Sequence, residues 1–190
     1  ATAIGEAISG SEAAFARRMN RTAIALGMNR TTFRNAHGLT ENGHLSTARD
    51  MTTMGRRLFY DYPQYYNLFS RRSADAGIAT VRNTNRRFLD AYRGADGIKT
   101  GYTRAAGYNL VASAERGQER IIATVFGGRS TATRNERIME LLDMGFARAP
   151  STATVRRPEL PVYDDDDRVG SSIRATGAVT SSLRPLPRPG

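Results

Sequence analysis

The chain has 190 residues, 39% of them hydrophobic, which is enough for one domain with a real core and too few for two large ones. No stretch approaches the roughly 18 consecutive apolar residues needed to span a bilayer. The absence of cysteine excludes disulfides, thiolate metal ligands and a cysteine nucleophile. The net charge of +10 is built almost wholly from arginine, because Lys99 is the one lysine among 28 basic residues.

A lone lysine in a chain that otherwise uses arginine marks a position where arginine does not serve. Lysine is a compact ammonium on a flexible stem whose pKa responds to burial, whereas guanidinium stays charged. The arginines are scattered as singles and pairs such as Arg17-Arg18 and Arg86-Arg87, with no basic stripe and no nucleic-acid motif. No nucleic-acid partner is expected; a basic surface suits an anionic cell-wall polymer. His37 and His44 lack the carboxylate company of a metal centre, and neither metal nor cofactor is expected.

In chain order, the sequence opens at Ala1 directly in helical pattern, without a secretory leader, and is expected to begin inside a longer protein. Ser11 caps a helix in which Phe15, Met19, Ala23 and Leu26 repeat at three- and four-residue steps, with Gly27 as terminator. After a polar loop over 35–44, Thr47 and Asp50 read as a capping box for a helix that turns Met51, Met54 and Leu58 inward. Pro63 suits the first turn of a short helix, and 70–95 has no clear period. Three strands are then predicted, 96–102, 108–115 and 120–126, with turns at Gly107 and Gly117-Gln118. A last helix over 134–146 places Ile138, Leu141, Leu142 and Gly145 on one face. The pattern predicts an α+β fold, an antiparallel meander flanked by helices, over 1–149. The stretch 150–190 holds six of the seven prolines and the run Asp164-Asp165-Asp166-Asp167, and is expected to be a disordered or polyproline-rich tail.

Lys99-Thr100-Gly101 ends the first strand. A strand lysine can polarise a serine hydroxyl and attract an anion, Thr100 offers a hydroxyl to a carboxylate, and Gly101 lets a substrate backbone lie close. The Tyr102 amide follows where an oxyanion would form. The plain alternative is a lysine that deters edge-to-edge aggregation.

K-T-G belongs with S-x-x-K and S-x-N as the signature of penicillin-recognising serine enzymes. Further matches occur in order: Met19-Asn20, Leu26-Gly27-Met28, Thr32-Phe33-Arg34-Asn35-Ala36-His37-Gly38-Leu39 and Ser46-Thr47-Ala48-Arg49-Asp50-Met51. They continue with Asp96-Gly97-Ile98 before the triplet, Tyr102-Thr103 after it, Ala106 to Ala114, and Gly127-Gly128-Arg129. Over about 1–148 the chain resembles the low-molecular-mass penicillin-binding proteins, the serine-type D-Ala-D-Ala carboxypeptidases. The resemblance implies a β-lactamase/transpeptidase-like fold and removal of the terminal D-alanine from peptidoglycan stem peptides through an acyl-serine that β-lactams trap. It implies Lys99 and Tyr102 as catalytic, with Thr100, Gly101 and Arg134 binding substrate, and a bacterial periplasm or cell envelope as location. It implies a structural role for His37.

Two parts of that signature are missing. Asp96 stands three residues before the only lysine, so no S-x-x-K exists, and no S-x-N triplet occurs. The chain is therefore expected to be an N-terminally incomplete catalytic domain, inactive alone. The alternatives are a non-catalytic peptidoglycan-peptide-binding remnant and a β-lactamase-like hydrolase, although no deacylating glutamate motif is visible.

Overall fold

A computed structural model describes residues 1–150, 152 and 155–162. Two helices open the chain, α1 (Thr2–Ser9) and α2 (Glu12–Ala25). Gly10 closes α1 in the left-handed region at φ 80°, and the Ser11 hydroxyl accepts from the Ala14 amide to cap α2. Gly5 makes their contact possible, since a Cβ there would lie 2.6 Å from the Phe15 ring. Then follow α3 (Ala48–Asp61), α4 (Pro63–Tyr66) and a 3₁₀ turn over Asn67–Ser70.

The stretch without clear period contains three short elements. β1 (Ser73–Asp75) and β2 (Thr80–Arg82) form an exposed hairpin, and α5 (Arg86–Ala91) buries Phe88 and Leu89. Strands of three residues and a six-residue helix are too short to show a period of two or 3.6. The sheet consists of β3 (Ala95–Thr103), β4 (Gly107–Arg116) and β5 (Glu119–Gly128), antiparallel in that order, with β3 at one edge. α6 (Thr131–Arg148) extends the predicted last helix by three residues at its start, where Ser130 and Thr133 make a reciprocal capping box.

Helices cover both faces of this sheet. On one face α3 lies against it at Gly55, where a Cβ would come within 3.0–3.2 Å of Ile98, Ile122 and Val111, and the Thr52 and Thr124 hydroxyls meet at 2.8 Å. On the other, Ile138 and Leu142 of α6 join Leu110, Ala112, Ala114 and Val125 of the sheet and Phe88, Leu89 and Tyr92 from the α5 region. This is the α+β arrangement expected. The described part of 150–162 has no regular secondary structure, and its Arg156 and Glu159 carbonyls accept from Arg56 and Arg57 of α3. The acidic run and the proline-rich end of the expected tail lie outside the described residues. Among the described residues no helix is long and apolar enough to cross a membrane, and no group of three or more acidic, His or Cys residues could hold a metal ion.

Candidate active site at the K-T-G strand

The site residues are distributed by the pleat of an edge strand. Lys99 pairs with Val111, which pairs with Thr124. Thr124 is in turn bonded to Thr52 of α3. The Lys99 side chain is exposed, and its ammonium donates to the Thr100 carbonyl at 2.6 Å. Thr100 pairs with buried Leu110 and so turns toward the α5–α6 side, half-buried, with its hydroxyl 2.7 Å from that of Thr84. Gly101 pairs with Asn109 and lies open, with nothing closer than 4.0 Å to an added Cβ. Tyr102 is 57% exposed, and its ring centroid stands 4.4 Å from that of Tyr108 on the next strand.

Arg134, in the first turns of α6, is only 4% exposed. It donates from Nε and Nη2 to the Asn135 side chain at 3.2 and 2.8 Å, and from Nη1 to the Asn109 carbonyl at 3.4 Å. Because Asn109 is the register partner of Gly101, this brings Arg134 behind the strand that bears Lys99. Gly128 opens the approach: a Cβ there would lie 2.8 Å from the Arg134 Cβ. No ion pair neutralises this guanidinium among the described residues, and burial pulls its pKa below the ordinary value. A buried cation held only by neutral oxygens is costly, and a ligand carboxylate would offset that cost.

The strand is anchored just upstream. Tyr66 donates to the fully buried Ser113 hydroxyl at 2.8 Å, Ser113 donates to Asp96 at 2.6 Å, and Arg120 closes the chain on Asp96. Gly97 must be glycine here, since a Cβ would stand 2.8 Å from the Ser113 hydroxyl. Burial pushes the Tyr66 phenol up to about 12, so it remains a proton donor in this chain of bonds. Asp96 was visible in the sequence only as part of a motif, and Thr84, Asn109 and Ser113 as turn or strand letters; their roles appear only when β3, β4 and α5 are assembled.

A cleft of about 930 Å³ opens beside the strand, between Gly101-Tyr102-Thr103 and the loop from Gly38 to Ser46. Asn35 organises that loop: buried, it accepts from the Gly38 amide and donates to the Leu39 carbonyl and Glu41. His37 and His44 each accept from a backbone amide, those of Leu39 and Arg34. Asp50 is more than a helix-start residue. The Thr47 hydroxyl caps its amide, while its buried carboxylate accepts from Thr31 at 2.6 Å and from the Arg30 amide at 2.9 Å. The expected capping box is thus only half formed, because the carboxylate is drawn across to the loop.

An edge strand carrying K-T-G between an α3-side helix and a buried α6 arginine defines the penicillin-recognising serine enzymes as a class. Residues 1–130 match the family model described as D-alanyl-D-alanine carboxypeptidase, peptidase S11, and the chain belongs to that family. It is 43% identical over 150 residues to D-alanyl-D-alanine carboxypeptidase DacF of Bacillus subtilis, covering 76% of this chain and 38% of that protein. It is 35% identical over 184 residues to DacC of Escherichia coli, covering 94% and 46%. Among solved structures it is similar to penicillin-binding protein D2 of Listeria monocytogenes in its ampicillin-bound form, with TM-score 0.71 and 33% identity over 77% of this chain and 60% of that one. The chain spans less than half the length of these two curated relatives.

Proposed function

We propose that this chain supplies the K-T-G half of a serine-type D-Ala-D-Ala carboxypeptidase site that acts on peptidoglycan stem peptides in the bacterial periplasm or cell envelope. The observation that carries the reading is Arg134, a buried guanidinium with no ion pair among the described residues, set behind an open edge strand at Gly101. A peptide laid along β3 places its terminal carboxylate at Thr100 and Arg134. Its penultimate carbonyl then meets the Tyr102 amide, which stabilises charge as it develops on oxygen. Lys99, exposed on the same strand, would polarise the hydroxyl of a serine and steady the carboxylate by charge. Gly101 leaves the room that backbone-to-backbone approach requires. β-Lactams, which present the same carboxylate and carbonyl, fit the same positions, and the Listeria relative is known in an ampicillin-bound form.

Nucleophile and base of the acylation step are not among these residues, since no serine of the 190 is followed three positions later by lysine. The chain alone is therefore expected to bind D-Ala-D-Ala termini without turning them over. Incubation with a fluorescent penicillin is expected to leave the 190-residue chain unlabelled. Co-expression with the segment of a relative that carries S-x-x-K and S-x-N is expected to restore a covalent adduct, lost again in Lys99→Ala. A covalent adduct on the chain alone would overturn the reading.

A further inference from the structure

A second cleft, of about 510 Å³, lies on the α5–α6 side of the same strand. Its walls are Arg82, Arg86 and Arg87, with Asp90, Thr84 and Thr131. Three guanidinium groups face one carboxylate, and that carboxylate is already shared: Asp90 is held by Arg72 at 2.6 Å and by Arg86 at 3.1 Å. Those hydrogen bonds, the one from Arg72 foremost, keep Asp90 below the usual carboxylate range, so it stays an anion committed to its two arginines. Arg82 and Arg87 are exposed and have no ion pair among the described residues. The cleft therefore carries an excess of two positive charges.

Its position ties this charge to the candidate active site. Thr84, on the cleft wall, is hydrogen-bonded to the hydroxyl of Thr100. Thr131 stands one turn before Arg134 on α6. The cleft thus lies one hydrogen bond from Thr100 and one helical turn from Arg134, the two residues to which the proposed function assigns the terminal carboxylate. A group branching from the last residue of a bound peptide would enter it.

We propose that this cleft is a subsite for a second carboxylate, carried by the residue on the C-terminal side of the bond to be cleaved. The inference rests on the proposed function, because it takes the peptide terminus to lie at Thr100. Guanidinium forks match carboxylate oxygens in pairs. At their exposure the gain per ion pair is modest, so the two free arginines together give a preference of about five- to tenfold at low salt.

The test is a titration of the full chain, followed by its backbone amide resonances, with N-acetyl-D-Ala-D-Ala, N-acetyl-D-Ala-D-Glu, N-acetyl-D-Ala-D-Gln and inorganic phosphate. All three peptides are expected to shift Lys99 to Tyr102. The D-Glu peptide alone is expected to shift Thr84 and Thr131 strongly and to bind about five- to tenfold more tightly than its D-Gln counterpart. In Arg82→Gln/Arg87→Gln the D-Glu peptide is expected to fall to the D-Gln affinity. Equal affinity of the two peptides for the unaltered chain overturns the subsite while leaving the D-Ala-D-Ala reading intact. Phosphate that shifts Thr84 and Thr131 as tightly as the D-Glu peptide makes the cleft a site for any anion and also overturns it. Failure of every peptide to shift Lys99 to Tyr102 overturns the proposed function itself.

Discussion

Asp50 shows how one side chain holds two segments in place. Burial alone would raise its carboxyl pKa, but hydrogen bonds from Thr31, from the Arg30 amide and from Thr47 outweigh burial and lower it. A lowered folded pKa means that the unfolded chain binds the proton more readily. The stabilisation is then complete above the unfolded carboxylate range, near pH 4, and is lost as pH falls through the lower folded value. Asp50→Asn is expected to cost about 1–3 kcal/mol at pH 7. It is also expected to flatten the acid limb of the stability profile below about pH 4. Urea unfolding across that range measures both, and an unchanged limb would contradict the assignment. The sequence placed Asp50 correctly at a helix start. It could not show the carboxylate's destination, because Thr31 lies 19 residues away and is brought near only by the loop.

Elements pack here through small residues at defined points. Gly145 of α6 sits on Ile121 of β5, where an added Cβ would come within 2.7 Å of the branched Cγ2. Helix propensity favours alanine over glycine by nearly 1 kcal/mol. Packing favours glycine, since a branched atom next to the backbone cannot swing aside. Gly145→Ala is therefore expected to destabilise by about 1–2 kcal/mol net, an overpacking cost reduced by the helical gain. Thermal or urea unfolding decides the sign, and stabilisation would mean that α6 does not lie on β5 as described. The strands and long helices were legible in the sequence because each buries one face and so shows its period. The β1–β2 hairpin and α5 were not. The hairpin residues are exposed on both strands, and α5 contributes Phe88 and Leu89 as adjacent letters without a repeat.

At the scale of the whole chain, α3 is tied on one side to the sheet and on the other to the segment 155–162. Arg57 is the tie. Its side chain is 8% exposed, stands 2.9 Å from Asp61 through Nε at an angle that makes no hydrogen bond, and donates from Nη1 to the Glu159 carbonyl. Arg57→Ala removes that contact and leaves Asp61, itself 11% exposed, without its cation. Breaking a buried pair from one side costs about 3–5 kcal/mol, and the lower part of that range is expected here. Amide hydrogen exchange over 155–162 is expected to accelerate in the same variant. Unchanged exchange would show that Arg57 does not hold the segment.

The sequence by itself determined the family, the three strands of the sheet and the long helices, and the triplet Lys99-Thr100-Gly101 on the first of those strands. These are local properties: period, turn residues and a short motif whose chemistry follows from residue type. Arg134 also came from sequence, by resemblance, but its burial, its lack of an ion pair among the described residues and its approach behind Gly101 depend on α6 crossing β4 and β5 at Gly128. The anchoring of β3 through Asp96, Ser113 and Tyr66, the pairing of Thr84 with Thr100, and the arginine cleft beside them were decided only by tertiary structure. The bonds of the first two join residues 16 to 47 positions apart, and the cleft adds Thr131 of α6 to arginines near α5; no spacing rule reaches across such separations. Lys99 could be picked out from the letters; its place on the edge strand of the sheet was decided by the pairing of three strands.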